Sequence, residues 1–440
     1  NGLVSGSYFD PATRTRFGFG GVVLQKQGLA GGNFVTANEA GYLLIEPGTD
    51  FPFPGSEDAG PLDLTTLPGG PATDPNLTNL TAFDPAAAGL FNGTLVVDGS
   101  GEFFGGLQNV RLSPTGAISG QIWIEGVLST FRGLVDETGA AQIQVARRGL
   151  DPVDMTLQLA RADGTTDGFA LVGTVDIDGN PHSLDAQRRP TFTRAEPATE
   201  EGKYTLAMRA PDATDPALVP GGDGYGSISV LFNGLSRGLM ILADGTRASM
   251  SGHLSRSGEW SVYRSLYGQR GYLAGKLSFR DVTGVSDVDG DCRWFKQDAV
   301  PRTTSYVAGF DVTRTVIGGS YTPPAAGEAA FPMLDDAFYN AWLRLAGPDL
   351  SPSTPTDIVS LDRAVTWNTA NRILYYGPDK ALVRFNRNNG LATGRYLDRA
   401  NGVNVPFGGV LLQEQALLTG SYLSGGQSGN FSIAPRTATQ

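Results

Sequence analysis

Short runs of alternating apolar and polar residues, each ended by a glycine-containing turn, recur along most of the chain. Residues 117–124 and 141–145 show the period of two that is typical of half-buried strands. Asp-Gly and Asn-Gly pairs, which tolerate the positive φ of tight hairpins, separate such runs at 98–99, 163–164, 178–179, 244–245 and 289–290, and at 92–93, 233–234, 389–390 and 401–402. The pattern predicts an all-β chain of antiparallel hairpins with one short helix at most, expected at 334–345 before Gly347-Pro348.

Two sets of six glycines recur with nearly the same spacing. The intervals are 4, 6, 7, 6 and 10 residues in the first set and 4, 7, 7, 6 and 10 in the second, at positions 116, 120, 126, 133, 139 and 149 and at 234, 238, 245, 252, 258 and 268. Regular glycines fit hairpin ends and the bends of strands that coil around a barrel. The chain is therefore predicted to contain two similar antiparallel meander β-barrels or sandwiches, related by internal duplication.

Changes in composition suggest the domain boundaries. A Pro/Gly-rich linker or loop at 48–88 and a short linker at 195–202 flank the first predicted barrel, residues 89–194. The second predicted barrel covers residues 203–440 and carries a proline-rich loop insertion at 320–357. Residues 1–47 are predicted to be closing strands.

The closing strands are suggested by a second repeat, in which residues 6–47 match 394–435 without a gap. Sixteen of the 42 aligned pairs are identical, at a constant offset of 388. Such strands cannot bury an apolar face alone, and their open edges invite pairing. The C-terminal copy is predicted to close the 203–300 meander. The N-terminal copy either closes the 90–194 meander or pairs with another chain, which would give head-to-tail assembly. The assembly or closure residues proposed are Tyr8, Phe19, Val22 and Leu24, with Tyr396, Phe407, Val410 and Leu412.

Rare residues and net charge exclude several classes of function. The single cysteine, Cys292, excludes an intramolecular disulfide framework and a thiolate metal cluster. No run approaches 18 consecutive apolar residues, so no transmembrane helix and no membrane insertion are expected. The formal net charge of -11 disfavours nucleic acid or an anionic membrane as the main partner.

Several motifs resemble those of one group of proteins. They are Gly-Lys-Tyr-Thr-Leu at 202–206, Gly-Gly-Asp-Gly-Tyr-Gly at 221–226, Leu-Ala-Asp-Gly-Thr at 242–246, Leu-Ser-Arg-Ser-Gly-Glu-Trp at 254–260 and the Phe-Gly-Gly-Val-Val-Leu-Gln-Lys-Gln stretch that begins at Phe19. Together they are similar to glycine-rich β-repeat regions near the C-termini of very large secreted or surface proteins of environmental bacteria. The resemblance covers residues 6–435. It implies an extracellular or cell-surface location and a fragment of a longer protein, and it implies no activity.

Alternating carboxylates suggest a cation site. Asp287, Asp289 and Asp291 could place hard oxygens around Ca²⁺, although a hairpin turn at the Asp-Gly pair 289–290 is the favoured explanation. No other cofactor is expected.

Adjacent aromatic residues suggest a carbohydrate platform. In an alternating strand one member of the Tyr375-Tyr376 pair must face outward. No catalytic residue is predicted, because the acidic pairs lack a distinguishing context and no helix follows the glycine-rich 221–226 stretch.

The expected function is accordingly that of a non-enzymatic structural or adhesive surface module, which assembles with itself or with neighbouring modules into a filament or array. The alternative is a carbohydrate-binding module of a larger secreted protein, assisted by calcium and directed at a polysaccharide. A hydrolase with an unrecognised site is the remaining hypothesis.

Overall fold

The structure is a computed structural model that describes residues 3–10, 15–24, 29–35, 40–45, 67, 76–211, 215–331, 334, 338–348, 358–376, 380–398 and 403–436. The all-β prediction is confirmed, since antiparallel strands make up the four sheets. In these ranges the helical structure is one short 3-10 turn, Pro85–Ala87, and no helix is long and apolar enough to cross a membrane. The chain divides into two compact units, Asn1–Asp58 with Thr437–Gln440, and Ala59–Arg436.

The first sheet contains nine strands, of which eight form a meander whose first strand pairs with its last. The hydrogen-bonded order is β10-β11-β12-β13-β6-β7-β8-β9, and β5 pairs with β11. In β10, Ala141, Ile143 and Val145 are buried while the glutamines between them are exposed, as the period of two predicts. The strands are β5 (Leu77–Asn79), β6 (Gly89–Val96), β7 (Phe103–Leu112), β8 (Ala117–Ile124), β9 (Val127–Leu134), β10 (Ala140–Arg147), β11 (Leu150–Ala162), β12 (Phe169–Ile177) and β13 (Asn180–Arg188).

The second sheet repeats this topology with eight strands. Its order is β17-β16-β15-β14-β21-β20-β19-β18, so its first and last strands also pair, and its interior contains the buried indoles of Trp260 and Trp294. The strands are β14 (Gly202–Met208), β15 (Gly224–Val230), β16 (Leu235–Ile241), β17 (Arg247–His253), β18 (Glu259–Leu266), β19 (Gly271–Val282), β20 (Ser286–Lys296) and β21 (Phe310–Ser320).

The two sets of glycines occupy corresponding places in these sheets. Four members of each set lie in the turns after the second, third, fourth and fifth meander strands and have positive φ: Gly116, Gly126, Gly139 and Gly149, and Gly234, Gly245, Gly258 and Gly268. The other two of each set lie in strands, where a Cβ would meet a neighbouring side chain at 2.2–2.7 Å. Glycine therefore serves turn geometry at eight positions and close packing at four.

Two of the predicted turn pairs are not turns. Asn92-Gly93 lies inside β6 and Asp289-Gly290 lies inside β20. Both glycines stand where a cross-strand carbonyl approaches closely: a Cβ would come within 2.1 Å of the oxygen of Asp185 at Gly93 and of Lys276 at Gly290. These pairs are used for close backbone approach rather than for chain reversal. The Asn-Gly pair at 401–402 lies outside the described residues.

The third assembly is a closed barrel of eight strands in sequential order. Its interior is formed by large side chains that include Trp367, Phe407 and Phe431. The strands are β22 (Ala341–Pro348), β23 (Ile358–Trp367), β24 (Ile373–Leu374), β25 (Lys380–Asn386), β26 (Leu391–Asp398), β27 (Val403–Leu412), β28 (Leu417–Ser424) and β29 (Gln427–Pro435).

The closed barrel corrects three predictions. Residues 341–348 are strand rather than helix, because Ala341, Leu343 and Leu345 alternate inward between β23 and β29. The 320–357 segment is therefore not simply an insertion. The C-terminal repeat does not close the 203–300 meander, since β29 pairs with β22 and the second sheet closes through β14 and β21. Residues 203–440, predicted to form one barrel, thus contain both the second sheet and the closed barrel.

The N-terminal sheet contains β1 (Leu3–Asp10), β2 (Thr15–Leu24), β3 (Leu29–Val35) and β4 (Ala40–Ile45), paired in sequence order. Its strand registers equal those of β26–β29 after addition of 388: Leu3 pairs with Val22 as Leu391 pairs with Val410, and Phe19 pairs with Phe34 as Phe407 pairs with Tyr422. The prediction that these strands close the first barrel is wrong, because residues 89–188 supply all eight meander strands of the first sheet.

Candidate functional site

The outer surface of β27 and β28 contacts the second sheet, and this contact is called the docking face. Val410 and Leu412 are fully buried there against Ala207, Tyr225 and Ile317. Alternation along β27 explains the arrangement: Val405, Phe407 and Leu411 belong to the barrel interior, and Val410 and Leu412, which alternate with them, belong to the interface. The contact is apolar at its centre, as in stable protein interfaces.

Close approach of the two backbones makes glycine necessary at this contact. A Cβ at Gly408 would come within 2.0 Å of the Tyr225 hydroxyl, and a Cβ at Gly222 would come within 2.3 Å of the Gly429 carbonyl. Burial raises the pKa of Tyr225 to about 12, so the phenol stays neutral.

Asp223 is a buried polar residue of the docking face and is 1 % exposed. Its carboxylate accepts hydrogen bonds from the Ala210 amide (2.7 Å), the Arg209 guanidinium (2.6 Å) and the Thr419 hydroxyl (2.6 Å). Its own amide donates to the Gly420 carbonyl at 3.2 Å. One buried carboxylate therefore connects the second sheet to the closed barrel.

The loop that carries Asp223 is held by a buried arginine. Arg314 donates hydrogen bonds to the carbonyls of Gly222 (3.0 Å) and Pro220, and its guanidinium lies 5.6 Å from the centre of the Trp294 ring. Burial lowers the pKa of Arg314 to about 10, which still leaves it charged at neutral pH. The glycine-rich residues 221–226 resemble a phosphate-binding loop only superficially. They form part of the contact between the second sheet and the closed barrel.

The turn after β27 extends the docking face. Gln413 exchanges hydrogen bonds with the backbone of Thr322 and donates to the carbonyl of Ala330, while Gln415 donates to the carbonyl of Val285. Glu414 accepts from the Gly284 amide at 2.7 Å. These three residues follow the strand in the C-terminal repeat and correspond to Gln25, Lys26 and Gln27 at the 388 offset.

The C-terminal assembly residues predicted from the sequence have two different places. Tyr396 and Phe407 lie inside the closed barrel, whereas Val410 and Leu412 lie in the docking face. Their counterparts Tyr8, Phe19, Val22 and Leu24 lie on strands of matching register, and their side-chain packing is outside what the structure describes.

The two predicted aromatic residues point in opposite directions. Tyr375 packs against the interior cluster of the barrel, and Tyr376 is 51 % exposed. The Tyr376 ring stacks on Phe338, which is 45 % exposed, with a centroid distance of 5.1 Å and an interplanar angle of 24°. Tyr339 makes edge contacts with both rings at 5.0 and 6.1 Å. Phe338, Tyr339 and Tyr376 are called the aromatic cluster. The sequence analysis did not identify Phe338 and Tyr339, because it assigned these residues to a loop insertion and a helix.

The three candidate calcium ligands each bind protein donors. Asp287 accepts from the Ser320 amide (2.6 Å), Asp291 accepts from the Thr315 hydroxyl (2.9 Å), and Asp289 is paired with the Arg280 guanidinium. They lie two residues apart along β20, so successive positions are spaced by about 7 Å along the strand. Among the described residues no group of three acidic, histidine or cysteine side chains could hold a metal ion. Calcium binding stays a prediction.

The comparisons with known proteins give little guidance. No protein-family model and no curated protein match the sequence. The chain is similar to a double mutant of the vaccine antigen transferrin-binding protein B from Haemophilus parasuis, with 8% identity, a TM-score of 0.21 and coverage of 100% of this chain and 86% of that one. It is also similar to intact Ap-TbpB, which has N and C lobes, with 8% identity, a TM-score of 0.17 and coverage of 98% and 86%. Likenesses at this level define neither a family nor a function.

Proposed function

We propose that this chain is a non-enzymatic structural module of an extracellular surface protein and connects head to tail with neighbouring modules through its terminal strands. The observation that carries the proposal is the shared register of β1–β4 and β26–β29. A duplicated four-stranded half of an eight-stranded barrel implies a complementary half. In the closed barrel that half is β22–β25.

Exposed sheet edges give the physical reason for the connection. In the closed barrel β26 pairs with β25 and β29 pairs with β22, so neither outer strand is left open. Within the described residues β1 and β4 each pair on one side only. An unpaired edge presents a row of backbone donors and acceptors that another strand can satisfy. The partner proposed is a four-stranded segment of the β22–β25 type in a neighbouring module.

The identities between the two repeats support a second contact. Residues of the docking face are conserved between the copies: Gly20, Val22, Leu24, Gln25, Gln27, Gly32 and Gly41 match Gly408, Val410, Leu412, Gln413, Gln415, Gly420 and Gly429. The N-terminal sheet therefore carries the residues for docking on a surface of the β14–β15 type as well as those for barrel completion. Two positions differ: Gly31 stands where the Thr419 hydroxyl donates to Asp223, and Lys26 stands where Glu414 accepts from the Gly284 amide.

An extension of the chain tests this proposal. Because residue 390 corresponds to residue 2 at the 388 offset, a copy of residues 338–390 fused directly to Leu3 reproduces the order of the closed barrel. Hydrogen exchange of residues 3–45 is expected to become as slow as that of residues 391–433. The matched control is the same extension with Leu343→Asp and Val365→Asp in the added copy, two positions that are fully buried in the barrel. Equal exchange in both extended chains would contradict the proposal.

Deletion gives the complementary test. The full chain is expected to form concentration-dependent oligomers or filaments in negative-stain images, and removal of residues 1–47 is expected to abolish them. Monomers before and after the deletion would argue against head-to-tail assembly.

The aromatic cluster favours a second candidate function, the binding of a polysaccharide. Two stacked rings that are about half exposed provide a flat apolar face of the kind that packs against sugar rings, and exposed aromatic residues are enriched at binding sites. Tyr376→Ala is expected to weaken retention on a polysaccharide column, whereas Leu382→Ala, which removes an exposed side chain elsewhere on the barrel, is the control. Equal retention of both variants would count against this function.

A further inference from the structure

A lysine with two carboxylates lies buried between the first and second sheets. Lys276 is one of five lysines in the chain, and its side chain is 4% exposed. Its ammonium lies 3.0 Å from Oδ2 of Asp185 and 3.4 Å from Oε2 of Glu259. The three side chains come from β19, β13 and β18, so the lysine and Asp185 belong to different sheets.

The surroundings of this triad are largely shielded from solvent. The side chains of Asp185 and Glu259 are 17% and 7% exposed. Next to them, Tyr272 and Ala274 of the second sheet pack into the same apolar cluster as Leu184 and Ala186 of the first. The other oxygen of Asp185 accepts from the Gln187 amide at 2.9 Å, which orients the carboxylate. The reacting groups are thus held in contact in a largely buried interface, where an intramolecular step gains from orientation.

The charges around Lys276 favour transfer of a proton within the cluster. Arg280, the partner of Asp289, also lies close enough to Glu259 to feel its charge. Two carboxylates share the Lys276 ammonium, and two negative charges close together in buried surroundings favour sharing of a proton within the cluster. Burial lowers the pKa of Lys276 but the two carboxylates outweigh it, so the resting state is an ion pair and a proton must move before the amine can react.

We propose that Lys276 and Asp185 condense to an intramolecular isopeptide bond, with Glu259 as the proton carrier. Glu259 takes a proton from the ammonium, and the amine attacks Cγ of Asp185. The new C–N bond forms as one Cγ–O bond breaks, and the departing oxygen leaves as water with two of the three ammonium protons. The ammonium and carboxylate charges cancel, Glu259 returns to its initial state, and no oxidant or cofactor is required. The product is a covalent connection between the two sheets.

Intact mass spectrometry of the full chain tests this proposal. The mass is expected to be lower than that of the sequence by one water. Tryptic digestion is expected to give residues 271–280, uncleaved after Lys276, joined to residues 162–188. A mass equal to that of the sequence, with unlinked peptides in full yield, would overturn the proposal.

Three variants separate this bond from other losses of water. An Asp-Gly pair that cyclises to a succinimide loses the same mass, but it would persist in Lys276→Arg, whereas the isopeptide bond would not form. Glu259→Gln is expected to restore the full mass while the native fold is retained, as judged by its circular dichroism. Lys203→Arg, at an exposed lysine, is expected to keep the loss of water. Persistence of the loss in Lys276→Arg would overturn the assignment.

Discussion

Gly252 lies against the indole of Trp260, so that a Cβ at Gly252 would come within 2.5 Å of Trp260 Nε1. The two residues belong to β17 and β18, the strands at the two ends of the second sheet. In the first sheet the corresponding end strands are β9 and β10, where a Cβ at Gly133 would come within 2.7 Å of Ile143. Each sheet therefore brings its end strands together by packing a side chain of one over a glycine of the other.

Substitution of this glycine is expected to destabilise the second sheet. In Gly252→Ala the new methyl group must displace a fully buried indole, which costs about 1–3 kcal/mol of unfolding free energy. Urea unfolding followed by tryptophan fluorescence measures the effect. Gly202→Ala is the matched control, since the nearest atom to its Cβ is 3.6 Å away, and it is expected to be neutral or stabilising by up to about 1 kcal/mol. Equal destabilisation by both variants would contradict the conclusion that β17 and β18 come together by packing of Trp260 over Gly252.

Asp223 is expected to be the most sensitive polar residue of the docking face. In Asp223→Asn one buried charge is removed from opposite Arg209 and one acceptor becomes a donor, at a cost of about 3 kcal/mol. Limited proteolysis should then release the closed barrel faster. Asp362→Asn removes a carboxylate from a more exposed pair with Arg344 and should cost less than about 1 kcal/mol. Similar proteolysis of both variants would show that Asp223 does not hold the contact.

Stability is expected to fall in mild acid because of His253. Burial, helped by Arg189 and Arg237, lowers the pKa of His253 from 6.5 to about 4. Between pH 6.5 and 4 the unfolded chain binds a proton at His253 that the folded chain does not bind. The contribution of neutral His253 to the free energy of unfolding is therefore complete above pH 6.5 and is lost as the pH falls toward 4. The stability curve of His253→Gln should be flatter in this window than that of the wild type. An unchanged slope in His253→Gln would assign the acid sensitivity to other groups.

The thiol of Cys292 is expected to be inert in the folded protein. Burial in the interior of the second sheet, followed by the charge of Asp291, raises the pKa of Cys292 to about 12. Since the thiolate is the reactive form, labelling by a disulfide reagent should occur only at the rate of unfolding. A Cys292→Ser chain that carries Ser100→Cys, at an exposed turn, should react at once. Rapid labelling of native Cys292 would mean that the second sheet opens readily.

The sequence predicted the parts of this fold that depend on local chemistry. Alternation along a strand and the turn preferences of glycine act over a few residues, which is why the all-β class and the eight turn glycines could be read directly. The 42-residue repeat at an offset of 388 likewise predicted equal structure, because equal side-chain patterns impose equal registers. The errors at Asn92-Gly93 and Asp289-Gly290 arose where a neighbouring strand, and not the local chain, required glycine.

The candidate sites were only partly predictable for the same reason. The sequence singled out Tyr376 and Val410, but it did not indicate that Phe338 would stack on Tyr376 or that Val410 would pack against Tyr225. These partners are far apart in the chain, and contacts between distant residues leave no periodic signal.

The amino-acid sequence by itself determined that this chain forms antiparallel hairpins with a duplicated four-stranded ending. Only the tertiary structure decided which edges meet: β29 with β22, β21 with β14, and Lys276 with Asp185. Any strand edge offers the same backbone donors and acceptors, so the choice between edges is made by side-chain packing across whole sheets. That packing exists only after the sheets have curled and come into contact.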